Sequence, residues 1–196
     1  MVADPVGAVL AGGRARRLGG DKAGVEVGRR AMIERPLEAL GEVCDGVVVV
    51  CKAATALPRL PRRVERWDEP DQPRHPVTGI VHALERAGGP VLVCAADMPF
   101  VDAALLRVLL AAGAAGPDAA VVIAQAGGRL QPVLGLYRVR ALEGLGGEAA
   151  HAPLTATVER LDPMRVEVAA AAVRSVNTPA ELAAADAELG AAGMAG

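Results

Sequence analysis

VGAVLAGGRARRLGGDK, residues 6–22, opens on an apolar run from Val6 to Leu10 and breaks directly into a loop of glycine and basic residues. The run has strand length and no polar alternation, so it predicts a strand buried on both faces. Between Leu10 and Lys22 stand four glycines, three arginines and one lysine. Glycines let backbone approach a ligand closely, and the unpaired N–H groups of such a loop cradle phosphate oxygens. Open α/β sheets bind their ligands at the carboxyl ends of buried strands, which is where this loop falls. It therefore reads as a polyphosphate site. It is neither of the two common nucleotide loops: Gly13 to Gly19 is one residue too long for a P-loop, Lys22 lacks the flanking Gly and Ser/Thr, and G-x-G-x-x-G is absent.

Working outward, the apolar runs Val47 to Cys51, Val91 to Cys94 and Ala119 to Ala124 predict further central, parallel strands. Helical patterns at Ala31 to Leu40, Val77 to Ala87 and Asp102 to Gly113 have crossover length, with Thr78 and Asp102 as expected caps. Alternating strands and helices predict a helix-covered α/β sheet. Gly127-Gly128 is a turn signal between 119–125 and 130–137, so a hairpin should make the sheet mixed. A last strand is expected at Val173 to Val176. Asn177-Thr178-Pro179 then caps a helix running to about Leu189. Residues 1–190 are expected to form one domain and 191–196 a frayed tail. Ala53 to Pro76 is proline-rich and charged, an irregular excursion with one short strand at Arg63 to Arg66.

Composition narrows the function. The 196 residues carry a formal charge of −2, and aromatics are 2%, with Trp67, Phe100 and Tyr137 the sole Trp, Phe and Tyr. Without a basic surplus or stacking platforms, nucleic acid is not an expected partner. The apolar stretch from Ala103 to Gly116 is too short for a bilayer, and the N-terminus lacks the form of a signal peptide, so no membrane is expected either. Cys44, Cys51 and Cys94 lack the spacing of a disulfide or zinc framework and read as core residues of a cytoplasmic protein. His75, His82 and His151 likewise show no metal-ligand spacing. Only Lys22 and Lys52 are lysines in a chain with 21 Lys+Arg, which draws attention to both.

LAGGRARRLGGDK, residues 10–22, resembles the signature loop of the molybdenum cofactor guanylyltransferases, members of the MobA-like NTP transferases. Further matches follow in order. Cys94-Ala95-Ala96-Asp97-Met98-Pro99 resembles the family's C-D-x-P segment, Trp67-Asp68 to Gly79 its D…G-P-L-A-G stretch, and Asn177-Thr178-Pro179-Ala180-Glu181-Leu182 its closing N-T-P-E-E-L. The resemblance implies a Rossmann-like nucleotidyltransferase fold, three-layer α/β/α with a mostly parallel mixed sheet. It implies that Leu10, Ala11, Gly12 and Gly13 line the nucleotide, that Lys22 meets the triphosphate, that Asp68 and Gly79 are nucleotide-site residues, and that Asp97 contacts the nucleotide and binds Mg²⁺. Asp71 competes with Asp68 for its place. Gln131-Pro132 and Tyr137-Arg138, with Arg129, fall where the family contacts its second substrate. Three departures stand out: Cys51-Lys52-Ala53-Ala54 stands where the family often has an Asn that contacts the base, His75 where Gly is common, and Ala95-Ala96 where the aspartate's neighbours are usually more compact.

The activity this implies is transfer of GMP from GTP to the phosphate of molybdopterin or the molybdenum cofactor. Proteins of cofactor biosynthesis or acceptor molybdoenzymes are the implied protein partners. The acceptor phosphate is already anionic at neutral pH, so the chemistry needs alignment and charge neutralisation rather than a strong base. Lys22 and Mg²⁺ at Asp97 would stabilise the transition state, with Arg16 or Arg17 assisting pyrophosphate departure. The alternatives are cytidylyl transfer to the same pterin, another small-molecule nucleotidyl transfer, and a noncatalytic nucleotide-binding accessory protein.

Overall fold

Four consecutive valines, Val47 to Val50, can all be buried only where both faces of a sheet are covered. The structure, a computed structural model, describes residues 4–12, 14–15, 20–146 and 151–192; for Arg14, Ala15, Gly20, Asp21, Lys22 and Ala192 it describes the backbone alone. The chain runs through β1 (Val6–Leu10), a two-residue ribbon of β2 (Arg14–Ala15) and β3 (Gly20–Asp21), a hairpin of β4 (Glu26–Val27) and β5 (Arg30–Ala31), α1 (Glu34–Gly41) and β6 (Val47–Lys52). It continues through β7 (Val64–Glu69), α2 (Pro76–Ala87), β8 (Val91–Ala95), α3 (Ala103–Ala115), β9 (Val121–Ala126) and β10 (Arg129–Tyr137). The last elements are α4 (Leu142–Leu145), α5 (Leu154–Glu159), β11 (Met164–Glu167) and α6 (Pro179–Ala192).

A seven-stranded sheet in the order β11-β9-β10-β8-β1-β6-β7 forms the middle layer. Only β10 among these strands is antiparallel to its neighbours, while β7, β6, β1 and β8 pair in parallel. This is the expected three-layer α/β/α fold with a mostly parallel mixed sheet. Side chains alternate between two cores. Val9, Val49, Cys51, Leu92 and Cys94 face α1 and α3 through Leu37, Leu40, Leu106 and Leu109. Ala8, Val48, Val50, Val91 and Val93 face α2, α4 and α5 through Ile80, Leu84, Leu145 and Val158. The three cysteines are buried, in keeping with core packing. Burial pushes the Cys44 thiol up to about 11. Among the described residues, no helix is long and apolar enough to cross a membrane.

Several boundaries differ from expectation for identifiable reasons. The first helix starts at Glu34 rather than Ala31 because Gly28 and Arg29, with φ of 58° and 65°, turn the chain back so that β5 pairs with β4. The cap of α2 is His75, not Thr78: with Pro76 as first helical residue, the His75 ring nitrogen accepts from Val77 N–H at 3.2 Å. Asp102 caps α3 as expected, accepting from Leu105 N–H at 2.8 Å. Arg63 to Arg66 becomes the longer β7, and β9 is displaced two residues downstream of its expected start. Val173 to Val176 is not a strand. The place beside β9 is taken by β11, which the sequence reading did not foresee, and Val173 and Val176 instead anchor an irregular segment in two separate apolar clusters.

That segment leads into a brace formed by α6. Thr178 and Glu181 make a capping box, with Glu181 Oε2 accepting from Asn177 and Thr178 N–H at 2.7 and 2.9 Å. Ala185 packs with Val27 and Met32, and Asp186 accepts from Gly28 N–H at 2.8 Å. The closing helix thereby grips the hairpin that follows the glycine loop.

Gly135 lets β10 pass close to β9: a Cβ there would lie 2.5 Å from the Val122 carbonyl oxygen and 2.7 Å from Ile123 Cδ1. Backbone cannot yield as a flexible side chain can, so Gly135→Ala should destabilise the protein by about 1–3 kcal/mol, read from the midpoint of urea unfolding with an unchanged slope.

Candidate functional site

The carboxyl ends of β7, β6, β1 and β8 open into one cleft. Connections leave β1 toward β6 on one side, and α2 carries the chain back across to β8 on the other, so the cleft lies at the switch point of the sheet. The continuation of β1 is held from both sides: Ala11 N–H donates to the Val50 carbonyl at 2.9 Å, and Ala96 N–H donates to the Leu10 carbonyl at 3.0 Å. The cavity measures about 520 Å³, and Leu10, Ala11, Gly12, Gly79 and Asp97 line it. Sequence analysis had gathered all five there. Gly13, Arg16 and Arg17 lie outside the described residues, and of Lys22 only the backbone is described, at the start of a 3₁₀ turn, Lys22–Gly24.

Asp68 does not line the cleft; Asp71 does. Alternation along β7 explains this, since Trp67 and Glu69 turn inward and leave Asp68 outside. Asp68 instead pairs with Arg66 Nε at 2.7 Å, and that guanidinium donates to the carbonyls of Lys52, Ala53 and Thr55. It therefore supports the rim from behind.

The side chain next to it, which motif reading passed over, is the unusual one. Glu69 is 8% exposed at the cleft wall. Its Oε1 lies 3.4 Å from Lys52 Nζ, and its Oε2 is fully buried without a hydrogen-bond partner among the described residues. Glycine on both sides makes room for it: a Cβ at Gly12 would lie 2.8 Å from Oε1, and one at Gly79 would lie 3.0 Å from Oε2. Burial raises the carboxyl above the usual carboxylate range, and Lys52 opposes that rise. Lys52 also donates to the carbonyls of Pro70 and Pro73, so it ties the end of β6 to the loop carrying Asp71 and Arg74. Inward alternation on β7 was the one sequence signal that could have found Glu69.

His75 lines the cleft as well, and its cap on α2 requires a neutral ring. Burial lowers its pKa, with a hydrogen bond to the Ala152 backbone acting the other way. At the far side, Val176 N–H donates to the Asp97 carbonyl at 2.9 Å and brings Ser175 and Asn177 to the cavity wall. The capping reading had accounted for Asn177 without placing it there. Tyr137 and Arg138, expected near a second substrate, are engaged elsewhere. The Tyr137 hydroxyl is buried and donates to the Pro132 carbonyl, and Arg138 donates to the carbonyls of Gly113, in the last turn of α3, and of Gly116 and Ala119 beyond it.

The arrangement can hold an elongated, partly anionic ligand. Glu69 on β7 and Asp97 after β8 are three strand spacings apart, about 14 Å, which suits a hydrogen-bonding head at one end and phosphates at the other. Asp97 offers one hard oxygen donor, and among the described residues no cluster of three or more His, Cys, Asp or Glu side chains could hold a metal by itself. A divalent ion that takes most of its ligands from water and substrate phosphates suits such a site.

The chain is similar to known proteins in sequence and in fold. A MobA-like NTP transferase domain model matches residues 7–166. A protein of Chloroflexus aggregans named a probable molybdenum cofactor guanylyltransferase is 31% identical over 198 residues, covering 94% of each chain. One of Cereibacter sphaeroides, named a molybdenum cofactor guanylyltransferase, is 33% identical over 150 residues, covering 71% of this chain and 72% of the other. Among solved structures, molybdopterin-guanine dinucleotide biosynthesis protein A of Archaeoglobus fulgidus superposes with a TM-score of 0.73 at 23% identity, over 93% of this chain and 97% of that one.

Gly79 tests how tightly the wall is built. Replacing glycine by alanine inside a helix normally gains about 1 kcal/mol. Here the new Cβ meets Glu69 Oε2 and, at 3.2 Å, Leu10 Cδ2. Gly79→Ala is expected to show none of that gain in urea unfolding.

Proposed function

The chain belongs to the MobA-like NTP transferase family, and on that premise we propose that it transfers GMP from GTP to the phosphate of molybdopterin or the molybdenum cofactor, in the cytoplasm. An acceptor phosphate oxygen bonds to the α-phosphorus of GTP while the bond from that phosphorus to the β-phosphate bridging oxygen breaks. Pyrophosphate leaves with the electron pair. The acceptor oxygen is anionic already, so no side chain has to remove a proton.

The observation that carries the reading is the convergence on one cavity of the glycine-loop entry, Leu10 to Gly12, with Asp97 and the acidic side chain of Glu69. Guanine presents two adjacent donors, N1–H and the 2-amino group, and an ionised carboxylate is acceptor-only. Cytosine presents an acceptor beside its amine and adenine presents the same alternation, so neither satisfies Glu69 as well. A hydrogen bond to a charged group contributes about 1.5–3 kcal/mol, enough for roughly tenfold to hundredfold selectivity. In this reading the base lies against Glu69, the phosphates lie between the glycine loop and Asp97, and the acceptor enters beside Ser175 and Asn177.

Asp97 is the residue that would hold Mg²⁺, with the triphosphate providing further oxygens. When bound, such an ion supplies positive charge to the phosphate oxygens. The backbone at Gly12 orients the nucleotide, and Lys22, with Arg16 or Arg17, neutralises charge on the departing pyrophosphate.

Two measurements check this. In the presence of magnesium, GTP at 100 times its dissociation constant should stabilise the protein by about 2.7 kcal/mol, with CTP, ATP and UTP well behind at the same concentration. Removing a preorganised charge at the reacting phosphates typically costs 100-fold to 1,000-fold. Lys22→Ala and Asp97→Asn should therefore each lower turnover with GTP and molybdopterin by about 100-fold or more while leaving the melting temperature in place.

A further inference from the structure

Glu69 can take donors from a base only if it stays charged and is held at the cavity wall, and its surroundings oppose the first condition. The carboxylate is buried, its Oε2 has no partner, and Gly12 and Gly79 bring only backbone against it. An uncompensated buried carboxylate would take up a proton. Lys52 stands at Oε1, 3.4 Å away and itself 12% exposed by side chain, and its ammonium also binds the carbonyls of Pro70 and Pro73. The ammonium is thus held between the Glu69 carboxylate and the loop that follows β7.

We propose that Lys52 is a positioning residue for base selection: it holds Glu69 at the cavity wall through Oε1 and supplies the counter-charge that lets the buried carboxylate remain an anion for the guanine edge. This rests on the guanine reading of the site given above. It also gives a role to the lysine that stands where the resembling family carries an asparagine.

The other charged and titratable groups around Glu69 are few. Asp71 and Arg74 come from the β7–α2 loop, His75 from the start of α2, and Asp97 from the end of β8, all at the cavity wall. His82 lies one turn beyond Gly79 on α2, and Asp68 on the outward face of β7. Burial lowers the pKa of both histidines, so neither brings charge toward Glu69 at neutral pH. Lys52 is the cation that contacts the carboxylate among the described residues.

The test is the affinity for GTP and for ITP, which lacks the 2-amino group, at about pH 6 and about pH 8. Taking the ratio cancels titration of the phosphates, which the two ligands share. The parent protein should prefer GTP about tenfold at both pH values. Without the ammonium, the Glu69 carboxyl titrates higher. Lys52→Met should therefore keep much of the preference at about pH 8 and lose it at about pH 6, while Lys52→Arg should retain it throughout. Glu69→Gln should show no preference at either pH. A Lys52→Met protein whose GTP/ITP ratio matches the parent at both pH values, or falls equally at both, overturns the proposal; the second result assigns Lys52 a role in loop structure only. Should Lys52→Met fail to fold, Lys52→Gln, which keeps a donor without the charge, is read by the same criteria. Failure of the guanine reading is distinguishable, because the parent itself would then show no preference for GTP over ITP.

Discussion

Strand β1 is hydrogen-bonded on both sides, and the pairing continues past its end, through Ala11 to Val50 and through Ala96 to Leu10. Everything at the site depends on that continuation. It fixes the first residues of the glycine loop in register with the ends of β6 and β8, so Lys52 and Asp97 arrive at the same cavity from either side. The constraint comes from backbone pairing and valine packing. The chemistry at the rim can therefore differ among relatives while the rim keeps its place.

Much of the fold was legible because central parallel strands leave a one-letter trace. The valine and leucine runs of β1, β6 and β8 can be buried on both faces in no other way, and the paired glycines at 127 and 128, with φ of 53° and 76°, announce the hairpin. The edge of the sheet was not legible. Met164–Glu167 alternates between half-buried and exposed residues, and its pairing with β9 is set by tertiary placement rather than by a run of its own. That the glycine loop entry, Gly79 and Asp97 share one cleft was legible from motif order. Glu69 escaped because an aspartate stood beside it and fitted the motif better, although strand alternation turns that aspartate outward. Arg138 looked like an anion ligand because sequence cannot show that helix α3 ends with open carbonyls beneath it.

The site also shows a conflict between stability and selection. A buried carboxylate with one oxygen unpartnered is costly, and a well-packed apolar side chain there would serve the fold better. Two glycines, a lysine and two proline carbonyls are arranged around that one group. Such concentration of conformational freedom and charge in the wall of a cleft is expected where binding, rather than folding, sets the requirement.

The brace formed by α6 joins distant parts of the chain. Asp186 holds Gly28, and Val176 holds the backbone of Asp97, so residues near the carboxyl terminus complete a rim begun by residues near the amino terminus. During synthesis the amino-terminal part leaves the ribosome first, and the central sheet can assemble around β1 well before its closing helix exists. The central sheet alone does not close the rim: the segment holding Val176 and the helix holding Asp186 have to dock on it before the wall beside Asp97 is complete.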